Sequence, residues 1–134
     1  MNNFLYHGTK VLPEIFLREG LKPAKINDII EKIKIEFSIE NDVADEIFYD
    51  IIRRKKSHLF VYFTDRIEEA RSYAQIGGNF EGNLRSEVCH FLKIPDNRNH
   101  RGYVIVIKNK NNEKGEIKFS YIGSEEIIFY FDLN

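Results

Sequence analysis

Tryptophan is absent from this 134-residue chain, and cysteine and methionine occur once each. The lone Cys89 excludes an internal disulfide, and no partner stands at metal-ligand spacing from it, so it reads as a small buried hydrophobe. That usage fits a cytosolic, reducing setting. Excess charge of either sign is also missing. With 20 basic and 21 acidic side chains the formal net charge is −1, which gives no electrostatic basis for tight nonspecific binding to nucleic acid. No stretch reaches the ~18 apolar residues of a membrane span, and the first residues lack the basic region and apolar core of a secretory leader. No membrane partner is expected. A G-x-G-x-x-G turn is absent too, which excludes dinucleotide binding on the phosphate loop of a Rossmann-type sheet.

What is present suits a single α+β domain spanning 1–134, large enough to bury a core. The chain is rich in isoleucine (19), lysine (12) and asparagine (12), the bias of an AT-rich genome, as in many bacteria and phages. Val11, Leu12, Ile15, Phe16 and Leu17 recur at helical spacing, and Gly20 stands where a helix ends, so a first helix is expected over about 12–19. Ile29, Ile30, Ile33 and Phe37 mark a second helix, capped at Asn27 or Asp28. Val43, Ile47, Phe48, Ile51 and Ile52 mark a third, capped at Asn41 or Asp42, with Arg53 to Lys56 at its dipole-negative end. Leu59 to Thr64 reads as a buried strand. Asp65 and Glu68 form a capping-box spacing before a helix that carries Ile67, Ala70, Tyr73 and Ala74 inward until Gly77-Gly78.

Residues 79–85 are polar and contain glycine, so a loop is expected there, able to fold over a site, followed by a short helix over 86–92. Tyr103 to Ile107 is continuously apolar, the pattern of a central strand covered on both faces. Lys108 to Gly115 is expected to be a hairpin loop. Strands follow through Ile117, Phe119 and Tyr121 and through Ile127 to Phe131. His58, His90 and His100 lie at no metal-ligand spacing.

The stretch with chemical content is Leu5-Tyr6-His7-Gly8-Thr9, where an apolar strand ends. Glycine permits close approach to the backbone, whose amide and carbonyl can hold a carboxamide, while His7 and Thr9 offer hydrogen bonds beside it. His7-Gly8-Thr9, then Tyr62 in Val-Tyr-Phe-Thr, then Tyr73 in Ser-Tyr-Ala, together resemble the ADP-ribosyltransferase fold. The resemblance is to the branch marked by a histidine, a tyrosine and a glutamate on three strands, which includes the poly(ADP-ribose) polymerases and diphtheria-type toxins. It implies two small twisted sheets forming an NAD cleft, with NAD as a substrate and no metal. His7 then resembles the ribose-binding histidine, Gly8 the carboxamide holder and Thr9 its hydroxyl neighbour, with Tyr62 and Tyr73 the stacking tyrosines. In those polymerases the last strand opens with the catalytic glutamate, a pattern similar to Glu125-Glu126-Ile127-Ile128, which favours Glu126 over Glu125.

Such an enzyme breaks the bond from an anomeric carbon to the nicotinamide nitrogen through a cationic sugar, chemistry akin to glycoside cleavage. The resemblance implies a protein or nucleic-acid acceptor, and a bacterial or phage toxin or effector held in check by an antitoxin or inhibitor. His-Gly-Thr-Lys and Tyr-Phe-Thr are also similar to stretches of the rifampin-modifying transferases. Two departures stand out: residues 24–57 match nothing in these families and read as a helical insertion, and Ser57 to Phe60 replace the glycines that often precede the strand tyrosine. Two other functions fit parts of the pattern. An RNA 2′-phosphotransferase shares a Tyr-His-Gly-Thr opening but has histidine where Tyr62 stands, and a noncatalytic module would bind ADP-ribose or a protein on the same scaffold.

Overall fold

Six consecutive buried residues, Gly102 to Ile107, leave their strand no wet face, and the chain covers it on both edges. In the computed structural model, which describes residues 3–23, 25–54, 60–76, 79–96 and 102–133, this strand is the middle of a three-stranded antiparallel sheet. The first strand, β1 (Phe4–Thr9), pairs with it from Phe4↔Lys108 to Thr9↔Tyr103. In chain order the remaining strands are β2 (Val61–Phe63), β3 (Gly102–Lys108, the central strand), β4 (Ile117–Phe119) and β5 (Ile127–Leu133). β5 takes the other edge of β3, with a register shift at Val106/Ile107.

β2 and β4 form a second, two-stranded antiparallel sheet with Phe63↔Ile117 and Val61↔Phe119 in register. Among the described residues a single bridge joins the sheets: Tyr6 donates to the Thr64 carbonyl at 2.7 Å, and Thr64 donates back at 2.9 Å. Phe16, Leu5, Val61, Phe63, Ile105 and Ile117 share one core against both sheets. The fold is α+β with two small antiparallel sheets.

Among the described residues five helices accompany this framework. α1 (Pro13–Glu19) opens on a proline, whose missing N–H costs nothing in a first turn, and closes on Gly20 at φ 79°, whose amide bonds the Phe16 carbonyl. α2 (Ile26–Phe37) ends at Ser38 in the left-handed region, and α3 (Asn41–Arg54) follows. Both pack on α5 (Asn79–Leu92) through a separate core that includes Ile30, Ile33, Phe48, Leu84 and Val88. Arg85 on α5 also pairs with Glu36 on α2 at 2.6 Å. Residues 26–37 and 41–54 are therefore helical, as their periodicity predicts, and share with α5 a hydrophobic centre separate from that of the sheets. α4 (Ile67–Ile76) lies across the first sheet, with Ala70 and Ala74 against Val104.

Two expectations are corrected. Residues 79–85 are not a loop but the first half of α5. Leu84 and Val88, four apart, are fully buried against α2 and α3, and that burial outweighs a polar, glycine-containing local composition. Residues 109–116 do not close a hairpin, because β3 has both edges occupied by β1 and β5; they carry the chain from the first sheet to the second. Gly77-Gly78, Lys55 to Leu59 and His100 lie outside the described residues.

α4 approaches β1 so closely that a Cβ on Gly8 would stand 1.9 Å from the Ala70 carbonyl oxygen and 2.6 Å from the Ala74 nitrogen. Both are backbone atoms and cannot swing aside. Gly8→Ala is therefore expected to cost about 1–3 kcal/mol, the usual penalty for overpacking, read as a lower urea midpoint at unchanged slope. An unchanged midpoint would mean that α4 is not seated on β1 in solution.

Candidate functional site

Gly8 owes its free backbone edge to the register of β1. Tyr6 spends its amide and carbonyl on Thr64, so in the β1·β3 ladder Tyr6↔Val106 is one of the pairs that exchange no hydrogen bonds. Gly8↔Val104, two residues on, is another. The Gly8 N–H and C=O thus point away from β3, toward the side where Tyr6 meets Thr64, and among the described residues no strand pairs with Gly8 there. A donor and an acceptor a few ångströms apart on one edge suit a primary carboxamide.

His7 is oriented by the neighbouring sheet. Its Nδ1 lies 2.7 Å from the Tyr62 carbonyl oxygen, and its ring packs on Phe63 with centroids 5.3 Å apart. A carbonyl can only accept, so Nδ1 carries the proton. Burial holds the imidazole pKa below its usual 6.5, outweighing the opposing effect of the Tyr62 hydrogen bond. The ring is neutral at pH 7 and Nε2 is left as an acceptor, suited to a ligand hydroxyl.

These groups share one cleft of about 270 Å³, lined by His7, Gly8, Tyr62, Tyr73 and two carboxylates, Glu69 and Glu116, among others. Tyr62 comes from β2 and Tyr73 from α4, both half-buried. The Lys118 ammonium sits 5.6 Å from the Tyr62 ring centroid, a cation–π distance. Glu69 is already engaged, accepting from the Thr64 hydroxyl at 3.2 Å and from Arg66 at 2.6 Å. Glu116 is exposed and makes no hydrogen bond or ion pair with another described residue. It immediately precedes β4. One step beyond the Phe63↔Ile117 pair, the register sets it opposite Thr64, on the same side of the strand as Lys118.

Four of the residues singled out in the sequence, His7, Gly8, Tyr62 and Tyr73, therefore meet. Thr9 does not join them: it is buried, and its hydroxyl accepts the Val11 amide at 3.1 Å, shaping the turn into α1. Glu125 and Glu126 are also elsewhere, which corrects the expectation that the strand through Glu126 lines this cleft. Both stand in a single 3-10 turn, Ser124–Glu126, before β5 starts at Ile127. β5 pairs with β3, on the far edge from β2, and Glu126 is ion-paired with Lys110 at 3.3 Å. An apolar run after a glutamate marks a strand but not which neighbour that strand takes. Glu116 escaped notice for the complementary reason. The strand it leads into is only three residues long, and the alternation Ile117-Lys118-Phe119 was that strand's one sequence signal.

Chemically the cleft offers an aromatic wall, a carboxamide edge, a hydroxyl acceptor and an unpaired carboxylate. Among the described residues no group of three or more His, Cys, Asp or Glu could hold a metal ion.

The lowered His7 pKa makes stability pH-dependent. Between the folded-state pKa and 6.5 the unfolded chain binds more protons at this site, so stability is complete above 6.5 and falls as the pH drops below it. Urea midpoints at pH 7.5 and 5.5 should differ less in His7→Asn than in the parent chain; equal differences would mean that His7 is not held neutral by burial.

The chain matches no protein-family model, no curated protein and no solved structure.

Proposed function

We propose that this chain transfers ADP-ribose from NAD to a macromolecular acceptor, with Glu116 as the carboxylate that stabilises the transition state. The observation that supports this most is the convergence of His7, Gly8, Tyr62 and Tyr73, four of the residues on which the family resemblance rests, around one free carboxylate. In this reading the histidine and the tyrosine belong to β1 and β2, and the glutamate is the residue that leads into β4.

The Gly8 amide and carbonyl hold the nicotinamide carboxamide, and Tyr62 and Tyr73 flank its ring. His7 Nε2 accepts a hydroxyl of the adjoining ribose. A cleft of about 270 Å³ is small for a whole dinucleotide, so it takes the nicotinamide and its ribose while the ADP half lies across the open surface. The bond from the ribose anomeric carbon to the ring nitrogen breaks, its electron pair leaves with neutral nicotinamide, and positive charge develops on the sugar. Glu116 accepts a ribose hydroxyl proton in a hydrogen bond and lowers the energy of that cation. The acceptor's nucleophilic atom then bonds to the anomeric carbon and gives up its proton to solvent or to Glu116. A bacterial or phage effector acting in the cytoplasm is the setting this chemistry fits.

The test is incubation with isotopically labelled NAD and a bacterial lysate, with protein and nucleic-acid fractions read separately by mass spectrometry. Label is expected in one fraction. Glu116→Gln should keep NAD binding and lose about a hundredfold in transfer, as removal of one preorganised electrostatic group does, while Glu125→Gln and Glu126→Gln stay near the parent rate. Retained transfer in Glu116→Gln with loss in Glu126→Gln would return the role to Glu126. NAD binding without label in either fraction would leave a noncatalytic module.

Tyr73→Ala is expected to weaken NAD binding by about 1 kcal/mol, the contribution of an aromatic contact beyond its buried area, measured by calorimetry. Unchanged affinity would make Tyr73 a packing residue.

A further inference from the structure

A second cavity, of about 540 Å³, opens on the other side of β4 beneath the connection that runs from β3 to β4. It shares no lining residue with the His7 cleft. Its inner wall is apolar, with Leu5, Ile107 and Ile117 from the two sheets and Ile122 from the segment after β4, and with Phe119 and Ile128 nearer the opening. This volume lies in the range of small-molecule sites, which are mostly apolar with a few fixed polar groups.

One such polar group is Asn109. It is only 5% exposed and lines the cavity. Its side-chain Nδ2 donates to the Glu113 carbonyl at 2.6 Å, which fixes the amide orientation, because a carbonyl oxygen cannot donate. Its main-chain amide donates to the Asn3 carbonyl at 2.7 Å, and its main-chain carbonyl accepts from Asn112 at 3.4 Å. The remaining atom, Oδ1, has no donor among the described residues. A buried acceptor left unpaired is costly, and a bound donor would remove that cost.

The rim sets the sign of the donor. Glu113, Glu125 and Glu126 face Lys108 and Lys110 around the opening. The 3.3 Å Lys110–Glu126 pair cancels one charge of each sign, leaving two carboxylates against one ammonium. We propose that this cavity is a second binding site, for a small cationic amphiphile: an amine, supplying the missing donor to Asn109 Oδ1, carried on an aryl or branched alkyl body that fills the isoleucine-lined interior. The site does not depend on the reading of the His7 cleft.

Three probes that share a phenylethyl body test it by NMR of protein labelled at the isoleucine methyls and at nitrogen: 2-phenylethylamine, 2-phenylethanol and 3-phenylpropionate. The amine is expected to shift the Ile107, Ile117, Ile122 and Ile128 methyls and the Asn109 side-chain amide saturably. The alcohol should bind about tenfold more weakly, and the carboxylate more weakly still, since a hydrogen bond from a charged donor is worth roughly a decade in affinity more than a neutral one. Ile128→Trp, at a site already 52% exposed and so tolerant of bulk, should abolish those shifts while the Tyr62 and Tyr73 ring signals stay in place. The proposal is overturned by an absence of saturable shifts at these methyls, by carboxylate binding equal to the amine, or by full binding in Ile128→Trp.

Discussion

Two hydrogen bonds between Tyr6 and Thr64 hold the candidate site together. They are the only strand-to-strand link between the sheets among the described residues, and they bring β1 beside β2 at the place where His7 can reach the Tyr62 carbonyl. Because the bridge is a single residue pair, the edge of β1 beyond it stays open, and Gly8 lies two residues farther along that edge. A longer ladder would have consumed the Gly8 amide and carbonyl. A missing bridge would have separated the histidine from the tyrosine.

The close approach of α4 to β1 complements the bridge. Only glycine at position 8 lets Ala70 and Ala74 pack so near the strand, and the same approach brings Tyr73 over the open edge. The absent side chain admits the helix, since the space a Cβ would need is taken by the backbone of Ala70 and Ala74. β4 divides the chemistry in a similar way. Glu116 and Lys118 lie toward Tyr62, while Ile117 and Phe119 turn into the core and the second cavity. A strand of three residues thus separates the two cavities by the alternation of its side chains.

The helical segment 24–57 contributes to neither site among the described residues. α2 and α3 bury their apolar faces against each other and against α5, in a cluster distinct from the one between the sheets. Changes within that cluster should be felt first by the helices, with the bridge between the sheets left intact, because no residue belongs to both cores.

Local sequence determined the elements whose signals are short-range. The isoleucine periodicities at 29–33 and 43–48 made helices, Gly20 ended α1 and the unbroken run at 103–107 made the central strand, all because burial pattern and backbone preference act within a few residues of chain. His7, Gly8, Tyr62 and Tyr73 were singled out together through the resemblance their short motifs carry, and the structure brings the four to one cleft. Partner choice was not legible. Ile127 to Phe131 makes a strand whatever lies beside it, and only the competition for the two edges of β3 sends it away from β2, leaving Phe129 and Phe131 more than a third exposed on an outer edge. The same competition seats the brief Ile117–Phe119 segment next to β2 and places Glu116, not Glu126, in the cleft. Side-chain patterns specify what a segment becomes; which segments become neighbours is decided by the packing of the whole chain, and the carboxylate beside His7 is a consequence of that packing.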